Sequence, residues 1–423
     1  MKRLRSSLGT QLARLPIVSL VAACSGASQS PSRPDAQLQT DGGTTAPTFC
    51  ARGLDVPHAT PPAGFCLKEY ALVAEARTLA FAPNGDLFVG APSTLTLGGA
   101  SGGPGAILIL TDVNHDGVGE SQTFLSQIDA QTTLTDVHGI AVGGGALYFT
   151  TKVSVWSTPY SDGQLVASAP PVSLGLPDTF ATGGRWTHGL ARSVSGQLIA
   201  SRGAFAMCGT SQGGEISAVS PTGTLTTLAS GFRNPMYMRC HAKDEVCAAM
   251  ELGEDLLPGA REKMLIFRST APSYGYPCCM TTSAPVAGYM ADGGGTAGLC
   301  DAVAKEDASF PLSDTPFGFD WEPGGWPAPF SGAIFVALHG SAYSSRPWQG
   351  AGIVYASTDP KTHAPTQDWQ TFLGGFSPDP DNVLHRPADI AFSPDGRMFF
   401  ADDTSGTIFW MAPTTLMVPG ASQ

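Results

Sequence analysis

The stretch Asp112-Val-Asn-His-Asp-Gly-Val-Gly-Glu120 carries carboxylate and amide oxygens at alternate positions ahead of a glycine. Hard divalent cations take oxygen ligands. Asp112, Asn114 and Asp116 at that spacing, with Gly117 to fold the chain round an ion, open a calcium loop. The bidentate Glu that such loops carry at the twelfth position is missing, because Thr123 stands there. An Asp-rich turn between strands accounts for the same residues without a metal. The cysteines are a second chemical set. Cys24 falls in an N-terminal segment taken up below. The others are Cys50, Cys66, Cys208, Cys240, Cys247, Cys278, Cys279 and Cys300, an even number that reads as up to four disulfides in an oxidising compartment. Cys50 with Cys66, and Cys240 with Cys247 across a hairpin, are the local pairs, and spacing does not settle the rest. Zinc at these residues is the alternative, but no CxxC pair or histidine cluster along the chain supports it.

The elements that would position such groups are strands. Near the C-terminus, Ile390 to Phe392 runs into a Ser-Pro-Asp-Gly turn, Met398 to Ala401 leaves it, and Asp-Asp-Thr-Ser-Gly turns again into Thr407-Ile-Phe-Trp-Met411. Gly and Asp supply the dihedrals of tight turns, and the flanking β-formers pack on a sheet. Looser copies begin at Thr78, His138, His188 and Met236, and a stretched one runs from Phe317 to Ala337. Repeats of this size, each a sheet unable to bury both faces alone, predict an all-β, six-bladed β-propeller of four-stranded antiparallel sheets spanning residues 50–413. A β-sandwich or two smaller β-domains is the alternative. Residues 414–423 read as a tail.

The chain of 423 residues has 51 glycines and 34 prolines, as a turn-rich β-protein needs, and only 14% charged residues with net charge −12. That balance argues against a nucleic-acid partner, which calls for clustered Lys and Arg, and it suits calcium. At the N-terminus, Lys2, Arg3, Arg5 and Arg14 precede a short apolar run ending at Cys24. A basic start, a short apolar core and small residues before a cysteine resemble a bacterial lipoprotein signal over residues 1–24, with Cys24 acylated. An ordinary secretory signal is the alternative. The run is too short to span a bilayer, so the lipid would be the only membrane contact. Residues 25–49 read as a disordered tether. The expected location is the outer membrane, facing the periplasm or the cell surface.

Gly231-Phe-Arg-Asn-Pro235, Glu251-Leu-Gly-Glu-Asp-Leu-Leu-Pro258, Tyr274-Gly-Tyr-Pro277, Phe330-Ser-Gly-Ala-Ile-Phe-Val-Ala-Leu-His-Gly-Ser341 and the Arg386-Pro unit follow in this order. The ordered set resembles the soluble quinoprotein dehydrogenases of the glucose and sorbosone dehydrogenase family, from about Arg77 to Met411. The resemblance implies pyrroloquinoline quinone (PQQ) at one end of the propeller axis with Ca2+ on it, a small sugar as substrate and an external electron acceptor. It carries the quinone contact to Arg233 and Asn234, where an arginine would stabilise oxygen charge developing during reduction. It places cofactor-facing basic groups at His339 and Arg386, suited to the PQQ carboxylates. It puts the calcium on backbone carbonyls at Gly253 and Glu254.

Sugar oxidation by this route needs a base for the hydroxyl proton. The family's histidine, at the head of the third blade, aligns with Arg185 in Gly184-Arg-Trp-Thr-His-Gly-Leu190, and the histidine falls instead at His188. Arginine cannot act as a base near neutrality. A three-residue shift along a strand also reverses the face of the side chain. His188, on a re-threaded loop, and His138, at the head of the second blade, are the catalytic candidates beside Arg233. Two further readings remain: a non-catalytic surface propeller that binds a glycan or protein partner, and a calcium-dependent lactonase. Trp186, Tyr274, Trp326, Tyr343 and Trp348 are aromatics for stacking a sugar or for plugging the space between blades.

Overall fold

The computed structural model describes residues 48–57, 59–93, 95–96, 99–100, 105–176, 185–206, 208, 214–253, 260–267, 273–279, 300–301, 303–340, 351–374 and 386–419. Cys24, Glu254, Tyr343, Trp348 and nearly all of the expected tether lie outside them. The described residues form the expected propeller of six antiparallel blades. From the axis outward, blade 1 is Thr78–Phe81, Leu87–Ala91, Ala106–Thr111 and Glu120–Leu125. Blade 2 opens with Ile140–Gly143, blade 3 with Leu190–Arg192, blade 4 with Pro235–Cys240 and blade 5 with Pro316–Trp321. Blade 6 is Pro387–Phe392, Met398–Asp402 and Thr407–Pro413, completed by Phe65–Leu72 from the N-terminal side. The two ends of the propeller chain are thus hydrogen-bonded in one sheet, from Phe65↔Pro413 to Leu72↔Thr407. That closes the ring without a free edge between first and last blades.

Strand periodicity explains how the blades stack. Successive side chains of a strand point to opposite faces, so each blade feeds two cores. In blade 1, Leu87 and Val89 pack toward blade 6 with Tyr70, Phe399 and Trp410, while Phe88 packs toward blade 2 with Phe124, Leu147 and Phe149. Blade 6 repeats this, with Phe399 on one face and Met398 and Phe400 on the other, beside Phe335 and Phe372 of blade 5. The second strands are therefore apolar on both faces: Leu87–Ala91, Ile334–Leu338 and Met398–Asp402 are buried throughout. Outer strands keep a solvent face, as in Glu120–Leu125 with four exposed residues before Phe124. Trp326 is one of the expected plugs, buried among Phe65, Phe335, Phe372 and Phe392. Tyr274 is another, packed on Phe232.

Four disulfides form. Cys50–Cys66 and Cys240–Cys247 are the expected local pairs. The structure adds Cys208–Cys278 and Cys279–Cys300, which pin the neighbouring cysteines 278 and 279 to different segments.

Within the hub, blades are also tied by charge. Arg239 of the blade 4 inner strand donates to Asp389 of blade 6 at 3.2 Å and to Leu79 O of blade 1, and lies 3.9 Å from Asp320 of blade 5. Each carboxylate also accepts backbone N–H groups, Asp389 from Leu79 and Ile390, Asp320 from Trp321 and Phe392. Burial pushes the Asp389 carboxyl up to about 6, with Arg239 pulling the other way.

Candidate cofactor site at the head of the hub

The six inner strands begin side by side at one end of the axis. Thr78 Oγ1 of blade 1 donates to His138 O, Gly139 N of blade 2 donates to His188 O, and Tyr237 Oη of blade 4 donates to Arg77 O. Backbones approach so closely here that the residue after each histidine must lack a side chain. A Cβ on Gly139 would meet Leu190 N at 2.5 Å, and one on Gly189 would meet Met236 O at 2.7 Å. The His138-Gly139 and His188-Gly189 pairs therefore mark inner-strand heads packed against the next blade. Below them an axial cavity of ≈ 150 Å³ is lined by His138, Tyr237, Arg239 and Asp389 among others.

At this head end the structure joins two expected residues to two that sequence reasoning did not single out. Arg77, at the head of blade 1, is ion-paired with Asp403, which follows the second strand of blade 6. His339, which follows the second strand of blade 5, holds Asp403 through Nε2 at 2.9 Å. Arg386, at the head of blade 6, donates from Nη2 to His339 Nδ1 at 2.8 Å and to Gly340 O, and from Nε to His339 O. An arginine can only donate, so His339 Nδ1 accepts and the ring proton sits on Nε2, facing the carboxylate. The ring is therefore neutral. Burial, opposed by Asp403 and reinforced by Arg386, brings it down to about 4. Burial alone would raise the Asp403 carboxyl, but its cationic and N–H neighbours His339, Arg77 and Arg386 hold it well below the usual carboxylate range. Burial lowers Arg386 to about 10, so it stays charged. The Arg77 guanidinium and the His339 N–H thus converge on one carboxylate, with Arg386 behind the imidazole.

An aromatic belt runs beside it. Arg77 lies over the Phe317 ring at 4.7 Å, and Phe317 stacks on His339 at 4.2 Å and on Tyr237 at 5.2 Å. Tyr237 meets the His138 ring at 5.0 Å, and His138 meets Trp186 edge-on at 5.7 Å. His138 is 1% exposed, and neither ring nitrogen has a hydrogen-bond partner. Burial, then the charge of Arg77, pushes it down to about 3. Arg77 Nε and Thr315 Oγ1, at the heads of blades 1 and 5, are likewise buried without a partner. Leaving such groups unpaired costs about 1–3 kcal/mol each, and this end of the hub collects several.

The other expected site residues lie as follows. His188 faces two carbonyls, Ser201 O from Nδ1 at 3.0 Å and Lys152 O from Nε2 at 3.2 Å, and burial lowers it to about 4. It stitches the second strands of blades 2 and 3. Arg185 stacks its guanidinium on the Phe205 ring at 4.0 Å. Arg233 heads blade 4, with its N–H on Glu251 Oε1 at 2.5 Å and its Nη1 on Leu252 O at 3.4 Å. Asn234 Oδ1 accepts from Thr187 Oγ1 at 3.0 Å. Gly253 is buried, two residues beyond the second strand of blade 4.

In the acidic loop, Asp112 accepts from Gly117 N, Asp116 accepts from Val118 N and Asn114 Nδ2, and Asn114 accepts from Asp116 N. Those bonds are the ones that close an Asp-rich turn, and the loop lies on the outer half of blade 1, away from the hub. Arg77 was legible as an arginine at the head of a repeat, the place Arg386 also takes. Asp403 had no such signal, since it reads as one residue of a turn.

No protein-family model and no curated protein matches the chain. Solved structures do. A carbohydrate-active enzyme of family AA12 from Trichoderma reesei, in an iodide structure, superposes with a TM-score of 0.65 at 19% identity, covering 85% of this chain and 98% of that one. The holo form of the pyranose dehydrogenase PQQ domain from Coprinopsis cinerea gives 0.63 at 18% identity over 85% and 98%. The chain shares the fold of that domain. The soluble aldose sugar dehydrogenase of Escherichia coli, in its apo form, gives 0.53 at 14% identity over 82% and 99%. The propeller aligns with these proteins along nearly their whole length.

Proposed function

We propose that the chain is an exported quinoprotein dehydrogenase that oxidises an aldose or a sorbosone-like sugar aldehyde with PQQ and Ca2+, passing electrons to an external acceptor. The observation that carries this is the head of the hub: a linked network of Arg77, Arg386, Asp403 and His339 beside buried polar atoms of Arg77, His138 and Thr315 without partners, on a propeller of PQQ-domain fold. PQQ is a planar tricarboxylate with quinone oxygens, and this donor set fits it. Arg77 Nε, Arg386 and Arg233 would hold its carboxylate and quinone oxygens by charge-assisted hydrogen bonds. The belt of Phe317, Tyr237 and Trp186 would flank a flat ring. Bound PQQ supplies a two-electron sink for carbon-bound hydrogen.

The protein's own contribution is placement and proton handling. His339 keeps Asp403 ionised and fixes both arginines in one orientation. His138, neutral and with both nitrogens open, is better placed than His188 to accept a hydroxyl proton, because His188 has a carbonyl facing each nitrogen. An anion beside Arg77 would offset the charge that depresses His138 and make it a stronger base. Ca2+ rests on the family resemblance at Gly253 and Glu254 and on the calcium structure of the Trichoderma enzyme. Export rests on the four disulfides, which persist in oxidising compartments. The lipid anchor at Cys24 and the outer-membrane location rest on the N-terminal pattern alone.

The arginine at the family's histidine position favours one second reading, a propeller that has kept the receptor and lost turnover. Reconstitution separates the two. PQQ and CaCl2 added to the purified chain should give stoichiometric uptake, a shifted quinone absorption and dye reduction with at least one aldose. Uptake without turnover would favour the second reading, and no uptake at all would overturn both.

A further inference from the structure

At the opposite end of the axis from the candidate site, the structure assembles a set of side chains that no function above uses. His241 and Asp244 lie on the turn that leaves the inner strand of blade 4, between Cys240 and Cys247. His363 lies on the loop after the third strand of blade 5, Gly352–Ala356. One ligand atom from each falls within 4.8 Å of the other two. Asp244 Oδ2 is 3.1 Å from His241 Nδ1 and 2.9 Å from His363 Nε2, and the two imidazoles stack at 3.8 Å with an interplanar angle of 21°. We propose that His241, Asp244 and His363 bind one divalent cation of the zinc class, as a staple between blades 4 and 5.

The donor chemistry selects the ion. Two imidazole nitrogens and one carboxylate oxygen form a set that suits zinc and its borderline neighbours, whereas calcium and magnesium require oxygen ligands throughout. In a tetrahedral zinc site with bonds of about 2.0–2.1 Å, ligand atoms stand about 3.3 Å apart. The two short separations here need to open by a few tenths of an ångström, and the stacked rings need to tilt so that each in-plane lone pair meets the ion. Asp244 is half exposed, which leaves room for water at the remaining position and a path for entry.

The hydrogen bonding points the same way. His241 Nδ1 accepts the backbone N–H of Lys243 at 3.3 Å. A nitrogen that accepts there is unprotonated and cannot donate to Asp244, so two acceptors that repel each other stand 3.1 Å apart, and an ion would displace the Lys243 N–H from that single lone pair. A cation between them turns this repulsion into attraction. His363 Nε2 meets the same oxygen, and its ring would ligate in the tautomer that carries its proton on Nδ1. Lys243, the nearest cation on the turn, is directed elsewhere, with Nζ on Pro323 O at 2.7 Å.

Both carriers are fixed before any ion arrives. The blade 4 turn is clamped by the Cys240–Cys247 disulfide, by His241 N to Val246 O at 2.7 Å and by Val246 N to Asp244 O at 2.8 Å. His363 has φ +57°, a left-handed backbone that a non-glycine residue adopts only when its surroundings hold it there. It is held there by His363 N to Asp359 O, Asp359 N to Ala364 O and Trp321 Nε1 to His363 O. The conformation sets the His363 ring flat on His241, with both nitrogens turned to one carboxylate.

The test uses the full chain, treated with EDTA, desalted, and titrated with ZnCl2 or CaCl2. Zinc should bind at one equivalent and raise the unfolding temperature, while calcium should do neither through these residues. The double substitution His241→Gln and His363→Gln should abolish both zinc effects. Asp244→Asn, which keeps the turn, should weaken zinc binding roughly tenfold or more. In proton NMR, the ring signals of His241 and His363 should move on zinc addition, independently of any activity. Absence of zinc uptake by the wild-type chain, or unchanged uptake by the double variant, would overturn the proposal.

Discussion

Two buried charge clusters share the hub, and they are built for opposite purposes. Midway along the axis, Arg239 meets Asp389 and Asp320, one cation against two carboxylates whose oxygens also accept backbone N–H groups. At the head, Arg77 and Arg386 face one carboxylate, and donors beside it stay open. The first cluster joins the inner strands of blades 1, 4, 5 and 6 and leaves one buried donor open, Arg239 Nε. The second leaves four polar atoms open nearby: Arg77 Nε, both His138 nitrogens and Thr315 Oγ1. Burial and ionic pairing alone would rank the two alike. The number of buried polar atoms left open distinguishes them, one beside Arg239 and four at the head.

Several substitutions would break or sharpen that contrast. His138→Ala should lower sugar turnover about 10²–10⁴-fold, the usual cost of losing a positioned base. It should leave the urea midpoint unchanged or raised, because it removes two unpartnered buried nitrogens. Steady-state dye reduction and equilibrium unfolding measure the two effects, and full turnover in this variant would dismiss His138 as the base. In the Arg239 cluster, Asp389→Ala should destabilise the fold by about 3–5 kcal/mol, since it removes the nearer carboxylate of a buried arginine. Urea denaturation checks this, and PQQ affinity of the folded fraction should stay near wild type. At the head, Arg386→Gln should reverse that pattern: PQQ binding weakened about 10–100-fold, as loss of a charge-assisted contact predicts, with little change in stability. A titration of the quinone absorption reads it directly.

A separate test of the buried hub concerns pH. His138 is pushed to about 3, and His188 and His339 to about 4, chiefly by burial in each case. In the unfolded chain each returns to roughly 6.5. Unfolding below that value therefore takes up about three protons, so stability is complete above pH 6.5 and declines as pH falls toward 4. Urea midpoints between pH 7.5 and 4.5 should show this slope. His188→Asn should reduce the slope by about one proton, and a flat profile would contradict the neutral-histidine assignment.

Much of the fold was legible because a propeller writes itself locally. The turn chemistry of Ser393-Pro-Asp-Gly396 and the alternation of Met398 to Ala401 specify a meander, and its copies specify blades. Ring closure by Phe65–Leu72 was not legible, since that strand has no turn linking it to its blade partners. At the site, Arg386 and His339 could be marked from an ordered set of motifs, and Arg77 shared their position at a repeat head. Asp403 could not, because a turn aspartate and an ion-paired one look the same until the neighbouring blade is in place.

By itself the sequence determined strand periodicity, turn placement, the short-range disulfides and the histidines at two strand heads, all properties set within about a dozen residues. Tertiary structure alone decided which charges meet. Arg77 and Asp403 are 326 positions apart, and His363 and Asp244 are 119 apart. No local preference encodes such a contact. It exists only because closing the ring brings one strand end of each blade against the next, and burial then determines which groups find a partner.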